Sequence, residues 1–211
     1  APHLVEPRRL VASTRITFGE AHDRLWGEVV PVPSHAVRAF RPGDRGPLPG
    51  LRALPTPGHI DHHLAFLHEH SGTLLAGDTM GIVLSEGAPV HPPTPPPTAD
   101  VAAWLRTLEE VETVGPERMG VAHFGLHPRV VERARELGGV LTALVERVEA
   151  ALAAGTEAED ADAFQRETVE RLAPHRPEGE VRRYFSVFSA ANDYRGAVRY
   201  VQRNPDWRRA G

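Results

Sequence analysis

The sequence predicts an α/β fold that continues into a helical C-terminal extension. Between residues 51 and 78, short apolar runs alternate with turn-forming residues, which is typical of brief strands in a sheet. From residue 98 onward, apolar residues recur at helical spacing. A chain of 211 residues with 41% hydrophobic content can bury a sizeable single core. We expect a sheet-and-helix portion at 1–127 and a helical extension of the same domain at 128–211.

Individual elements follow from local patterns. The predicted strands, all short and apolar, are residues 36–40, 51–54, 63–67, 73–76 and 118–122. The predicted helices are residues 7–26, 98–114, 128–154, 160–172 and 178–201, the last either continuous or interrupted near Asn192. The Gly138-Gly139 pair inside one helix predicts a kink or close packing there.

Composition excludes several classes of function. The net charge of −4 offers no electrostatic basis for binding nucleic acid or an anionic membrane. No apolar run approaches the roughly 18 residues of a membrane span, and no signal-peptide pattern is present, so we expect a cytoplasmic protein. The chain has no Cys, so any metal ion must be held by carboxylates and by some of the 12 His.

Three residues at predicted strand ends carry the most chemical information. His59 follows Thr-Pro-Gly after one strand, Asp78 follows a Gly after another, and His123 ends a third. A hairpin can bring the first two strand ends to the same edge of a sheet. Imidazoles and one carboxylate are ligands that Zn²⁺ prefers. Taken singly, each residue is more often structural than a ligand, so the pattern matters more than any one position.

The pattern resembles the metallo-β-lactamase-fold hydrolases, in particular the glyoxalase II-like members. Their third metal motif is T-P-G-H, followed by two strands and G-D, and a later His ends a further strand. The resemblance runs over residues 1–130 and implies an αββα sandwich. It implies that His59 binds a first metal, that Asp78 bridges two metals and that His123 binds the second. The implied cofactor is zinc, as one or two divalent ions, with iron or manganese as alternatives.

The resemblance also implies a reaction. Such enzymes hydrolyse an ester, thioester, lactone or lactam of a small molecule through a metal-activated hydroxide. A different class remains open: a non-catalytic remnant of the fold that acts as a binding or interaction protein. The helical C-terminus is then a candidate contact for a partner. In either case three roles stay open for it: shaping the substrate pocket, forming a homodimer contact, or covering one face of the sheet.

One feature of the family is absent from the sequence. The H-x-H-x-D-H cluster, which supplies most ligands of the first metal, does not occur. The nearest match, at residues 59–62, has Pro57 where the first His should be. We therefore expect a sandwich that is incomplete at its N-terminus, either a fragment or a natural relative that has lost half its site. No catalytic residue is assigned, and weak metal binding with little hydrolysis is expected.

Supporting roles are expected for residues near His59. Asp61 either orients an imidazole or lies on a solvated turn. One of His62 and His63 is expected to point inwards, to donate a hydrogen bond to a ligand or to pack on the sheet. The proline-rich residues 91–97 are expected to form a stiff connector, or alternatively a rigid wall beside the metals. The segment around Tyr184 is expected to be a helix surface without a catalytic role.

Overall fold

The computed structural model describes residues 2–46, 48–95 and 97–207, which form two compact units. Described residues up to Arg41 form the first unit, which contains the helices α1 (Pro2–Val5), α2 (Arg8–Phe18) and α3 (His22–Trp26). The predicted helix at 7–26 is thus interrupted, because Gly19 ends α2 with a φ of 52°. The predicted strand at 36–40 is wrong: a short 3₁₀ turn ends at residue 36, and no strand follows before residue 41.

The second unit, from Pro42 onward, holds the sheet. Its strands within the described residues are β1 (Leu51–Pro55), β2 (Leu64–His68), β3 (Thr73–Gly77), β4 (Arg118–Val121) and β5 (Gly125–Pro128). They lie side by side in that order, and every neighbouring pair is antiparallel except β3 and β4, which run parallel. The sequence did not predict β5, because its four residues precede a helix that was expected to begin at Pro128.

In the described part of the second unit, one α-helix lies between β3 and β4, and four α-helices follow β5. They are α4 (Val101–Val114), α5 (Val130–Ala154), α6 (Glu157–Leu172), α7 (Glu180–Val187) and α8 (Ala190–Arg203). Asp100 begins α4 by accepting a hydrogen bond from the Ala103 amide at 3.0 Å, as an N-cap carboxylate does. The predicted helix at 178–201 is interrupted at Phe188 and Ser189, a few residues before the alternative break expected near Asn192, so α7 and α8 are separate helices.

One apolar cluster joins the sheet to the helices. Leu74 of β3 and Met119 of β4 lie in it, with Trp104 of α4 and Leu141 of α5, and all four side chains are fully buried. A Cβ at Gly138 would lie 3.6 Å from Leu105 of α4, an ordinary van der Waals contact, so the packing there does not require a glycine. α5 is a single helix that includes both glycines, and the expected kink or close packing at this pair stays a prediction.

These findings agree with the predicted fold class, a mixed sheet with helices and a helical C-terminal region. None of the described helices combines the length and the apolar character needed to cross a membrane. The division expected between residues 127 and 128 stays a prediction, and residues 208–211 of the expected extension lie outside the described part of the chain.

Candidate metal centre

The direction of three strands brings the predicted ligands to one edge of the sheet. β1 is antiparallel to β2, and β2 is antiparallel to β3, so β1 and β3 run the same way; β4 is parallel to β3. The carboxyl ends of all three strands therefore meet at one edge, which we call the rim. His59, Asp78 and His123 each come shortly after one of these ends.

Each imidazole faces a different oxygen of the Asp78 carboxylate. His59 Nε2 lies 3.8 Å from Oδ2, and His123 Nε2 lies 3.4 Å from Oδ1. The side chains are 14%, 29% and 26% exposed for His59, Asp78 and His123, so the cluster is sheltered but open to solvent. Among the described residues, no group of three or more His, Asp or Glu side chains has the closed geometry of a metal site. The rim thus gathers donors without closing them around a single point.

A backbone carbonyl fixes the orientation of His59. Its Nδ1 lies 2.8 Å from the Pro93 carbonyl oxygen. A carbonyl oxygen only accepts, so Nδ1 carries the hydrogen and, in the neutral ring, Nε2 keeps its lone pair on the side of Asp78. Metal-binding histidines have this arrangement, with the second nitrogen hydrogen-bonded to a carbonyl or carboxylate. The donor set therefore fits a divalent ion.

Packing against α4 sets where His59 lies. Gly58 has a φ of 143°, and a Cβ at this position would come within 2.4 Å of the Trp104 side chain. The Trp104 ring meets His59 edge to face at 5.8 Å and donates its indole N–H to the Thr79 carbonyl at 2.7 Å. The glycine of the Thr-Pro-Gly-His turn is therefore required by a tryptophan that follows much later in the sequence.

The Asp78 carboxylate is ionised in these surroundings. Burial by itself would raise the pKa of Asp78, but the hydrogen bond from His123 and the nearby His59 outweigh it, and the pKa lies below its usual value. A carboxylate that faces two imidazoles is thus a stable anion, which is what a bridging metal ligand requires.

His63 is the neighbouring histidine that points inwards. His63 Nδ1 lies 2.7 Å from Thr56 Oγ1 and 3.1 Å from Thr79 Oγ1, and Thr79 Oγ1 donates to the Thr56 carbonyl at 3.1 Å. The ring then lies against the end of β3, where a Cβ on Gly77 would be 2.7 Å from its Nε2. Burial, together with His59, lowers the pKa of His63. His63 therefore packs behind the rim as a neutral ring.

Asp61 and His62 lie elsewhere. Their side chains are exposed and bond to each other, Asp61 Oδ1 to His62 Nδ1. The structure thus brings His59, Asp78, His123 and His63 together. It leaves the other two predicted supporting residues on a turn of the surface.

The structure adds two features beside the rim. Tyr184 of α7, expected on a helix surface without a catalytic role, packs edge to face on His123 with ring centroids 5.7 Å apart, and its buried hydroxyl has no hydrogen-bond partner among the described residues. Burial raises the pKa of this phenol, so it remains a hydrogen-bond donor beside the rim. The other feature is the Pro93 carbonyl. The proline-rich segment thus lies beside His59, as its alternative role as a wall required, but no local signal singles out Pro93 or Tyr184, because both contacts join distant segments.

Comparisons with known proteins agree with this fold. No family model matches the chain. It is 32% identical over 83 residues to the metallo-β-lactamase fold-containing protein ST1585 of Sulfurisphaera tokodaii, a match that covers 39% of this chain and 30% of that protein. It is 33% identical over 93 residues to the lactamase-like protein vrtG of Penicillium aethiopicum, covering 43% and 27% respectively.

Solved structures extend the likeness beyond the matched segments. The metallo-β-lactamase family protein TTHA1429 of Thermus thermophilus superposes with a TM-score of 0.59 and 23% identity, over 97% of this chain and 63% of that one. The chain therefore has the metallo-β-lactamase fold. The matched segments span less than a third of the two curated relatives. This likeness shows the fold alone.

Proposed function

We propose that this chain supplies part of the metal centre of a metal-dependent hydrolase, with His59, Asp78 and His123 as ligands. One observation carries the proposal: two imidazoles face the two different oxygens of one carboxylate. That is the arrangement a carboxylate needs in order to bridge two ions. Nitrogen and oxygen donors of this kind suit zinc, and they also suit iron or manganese.

The residues of the chain prepare the rim for a cation. The negative charge of Asp78 attracts it, and the Pro93 carbonyl keeps the hydrogen of His59 on the far nitrogen. When bound, a divalent ion lowers the pKa of water towards about 7 and polarises a carbonyl group. The reaction that this chemistry supports is hydrolysis of an ester, thioester, lactone or lactam of a small molecule.

Zinc binding by single-residue variants tests the ligand set. We expect His59→Ala, Asp78→Ala and His123→Ala each to weaken zinc binding by at least about tenfold in isothermal titration calorimetry, because each removes a donor at the rim. Circular dichroism and urea unfolding of the metal-free variants check that the fold is kept.

His62→Ala is the matched control, since it also removes an imidazole from the same turn but from an exposed position. We expect its zinc affinity to equal that of the unaltered chain. Equal affinity for His123→Ala and the unaltered chain would remove His123 from the ligand set and contradict the bridging arrangement.

A second candidate is a non-catalytic protein that keeps the fold and uses its surface to bind a partner. The observation that favours it is the lack of a closed metal site among the described residues. The same titration separates the two proposals. Zinc binding that depends on His59 and Asp78 supports the metal centre, whereas binding that is absent, or indifferent to all three residues, supports the remnant.

A further inference from the structure

A buried ionisable pair connects α8 to the proline-rich segment. His91 Nε2 lies 2.8 Å from Asp193 Oδ2, and both side chains are buried. Phe185 and Phe164 pack around the imidazole with ring centroids at 5.1 and 6.0 Å. The two residues are separated by 102 positions in the sequence. The contact therefore forms only when the C-terminal helices close over the segment.

Two further contacts hold the same segment against α8. Thr94 Oγ1 donates to the Asp193 carbonyl at 2.7 Å. Gly196, one turn further along α8, lies so close to the Thr94 carbonyl that any Cβ would overlap it. Three contacts with α8 therefore fix residues 91–94: the His91–Asp193 hydrogen bond, the Thr94 hydroxyl bond and the close approach of Gly196.

Pro93 lies between these two anchors, and its carbonyl is the one that accepts the His59 Nδ1 hydrogen. A proline has a fixed φ, so the segment between His91 and Thr94 has little freedom to move its carbonyls independently. The position of α8 therefore determines where the Pro93 oxygen stands relative to His59.

Stability alone does not account for this arrangement. A buried His–Asp pair pays a desolvation cost, and apolar residues of similar size are often as stable or more so. Burial raises the pKa of Asp193 despite the hydrogen bond from His91, which reflects that cost. The other use of such a pair is to fix one geometry among several.

We propose that Asp193 is a positioning residue for His59. Through His91 it holds the Pro93 carbonyl in place, and this carbonyl keeps the His59 hydrogen on Nδ1 and its lone pair facing Asp78. The helical C-terminal region thereby sets the tautomer of a residue at the rim. The inference rests on the proposed function only where metal affinity is measured, since the tautomer exists without metal.

The tautomer of His59 is directly measurable. Long-range ¹H–¹⁵N correlation spectra of the full chain, labelled at histidine and free of metal, distinguish Nδ1–H from Nε2–H rings, and loss of a signal in His59→Gln assigns it. We expect the unaltered chain to show the Nδ1–H form. Asp193→Ala should shift His59 to a mixture with the Nε2–H form. The zinc affinity should then fall about tenfold, the lower end of the loss seen when a residue that supports a metal ligand is removed.

Conservative variants separate positioning from general stability. Asp193→Asn keeps an oxygen that accepts from His91, so it should restore the Nδ1–H form and most of the zinc affinity. Thr94→Val preserves shape and removes one anchor, so it should give a partial shift even if Asp193→Ala fails to fold. Leu144→Ala is the control, because it removes buried volume from the core and breaks no hydrogen bond to the segment.

Two results would overturn the proposal. One is a His59 tautomer that is unchanged in both single variants, Thr94→Val and Asp193→Ala. If Asp193→Ala does not fold, an unchanged tautomer in Thr94→Val is enough. The second is an equal shift in Leu144→Ala at matched stability. Should the unaltered chain bind no zinc, the proposed metal centre fails, while the tautomer measurement still decides the role of Asp193.

Discussion

At the scale of the residue, the rim depends on atoms that carry no sequence signal. His59 was recognisable from Thr-Pro-Gly-His, but the nitrogen it presents is chosen by a carbonyl 34 residues away. His62 and His63 are neighbours of the same type, yet one is exposed and the other packs against Thr56 and Thr79. Residue identity thus predicted which side chains meet at the rim, and contacts decided where each ring lies.

Gly58 gives a sharp test at this scale. Gly58→Ala should lower the free energy of unfolding by about 3 kcal/mol, because it adds a strained positive φ to an overlap with Trp104. Urea unfolding followed by tryptophan fluorescence measures the change.

Gly139→Ala serves as the comparison, since that glycine lies in α5 with no atom within 4 Å of an added Cβ. It should stabilise the protein by about 0.5–1 kcal/mol through a less flexible unfolded chain. Similar effects from the two substitutions would show that the close approach of Trp104 is unimportant.

At the scale of elements, one arginine ties the long helix α5 to α6. Arg147 makes a two-pronged contact with Asp160, at 2.8 and 2.6 Å, and a further contact with Glu167. The hydrogen bond from Arg147 holds the pKa of Asp160 below its usual value. Because the pKa is lower in the folded state, this carboxylate stabilises the fold above its unfolded pKa of about 3.9, and the contribution is lost as pH falls through the lowered value.

Asp160→Asn should therefore cost about 1 kcal/mol at pH 7, and the cost should shrink as pH falls from 5 towards 3. Thermal unfolding across that range measures it. Glu159→Gln is the control, because it removes the same charge from the same first turn of α6 at an exposed position. A cost for Asp160→Asn that does not change with pH would contradict the ion-pair explanation.

The element boundaries show where local sequence patterns are enough to predict a strand or a helix. Seven elements of the second unit lie within a few residues of their predicted positions: the strands β1 to β4 and the helices α4 to α6. The strand at 36–40 was wrong, and β5 was missed, because four residues without alternation gain strand geometry only by pairing with β4. The segment expected to be helical at 178–201 is two helices, with the break at residues 188–189 and not near Asn192. At this break the Phe188 ring packs on His123.

At the scale of the whole molecule, the number of ligands limits activity. A catalytic zinc normally has three protein ligands, whereas here two imidazoles share one carboxylate. We expect micromolar or weaker zinc binding and no thioester turnover above that of free zinc in buffer. Tight binding of zinc at a fixed stoichiometry, together with thioester turnover that His123→Ala abolishes, would contradict this expectation.

The homodimer through the helical C-terminus also stays a prediction.

The sequence by itself determined the strand-and-turn pattern, the fold class and the three residues at strand ends, because these follow from local spacing and composition. Only the tertiary structure decided that β1, β3 and β4 point the same way and bring those ends together at one rim. It also decided that α8 anchors the segment facing His59. Such contacts join residues far apart in the chain, and they arise from packing that no local pattern encodes.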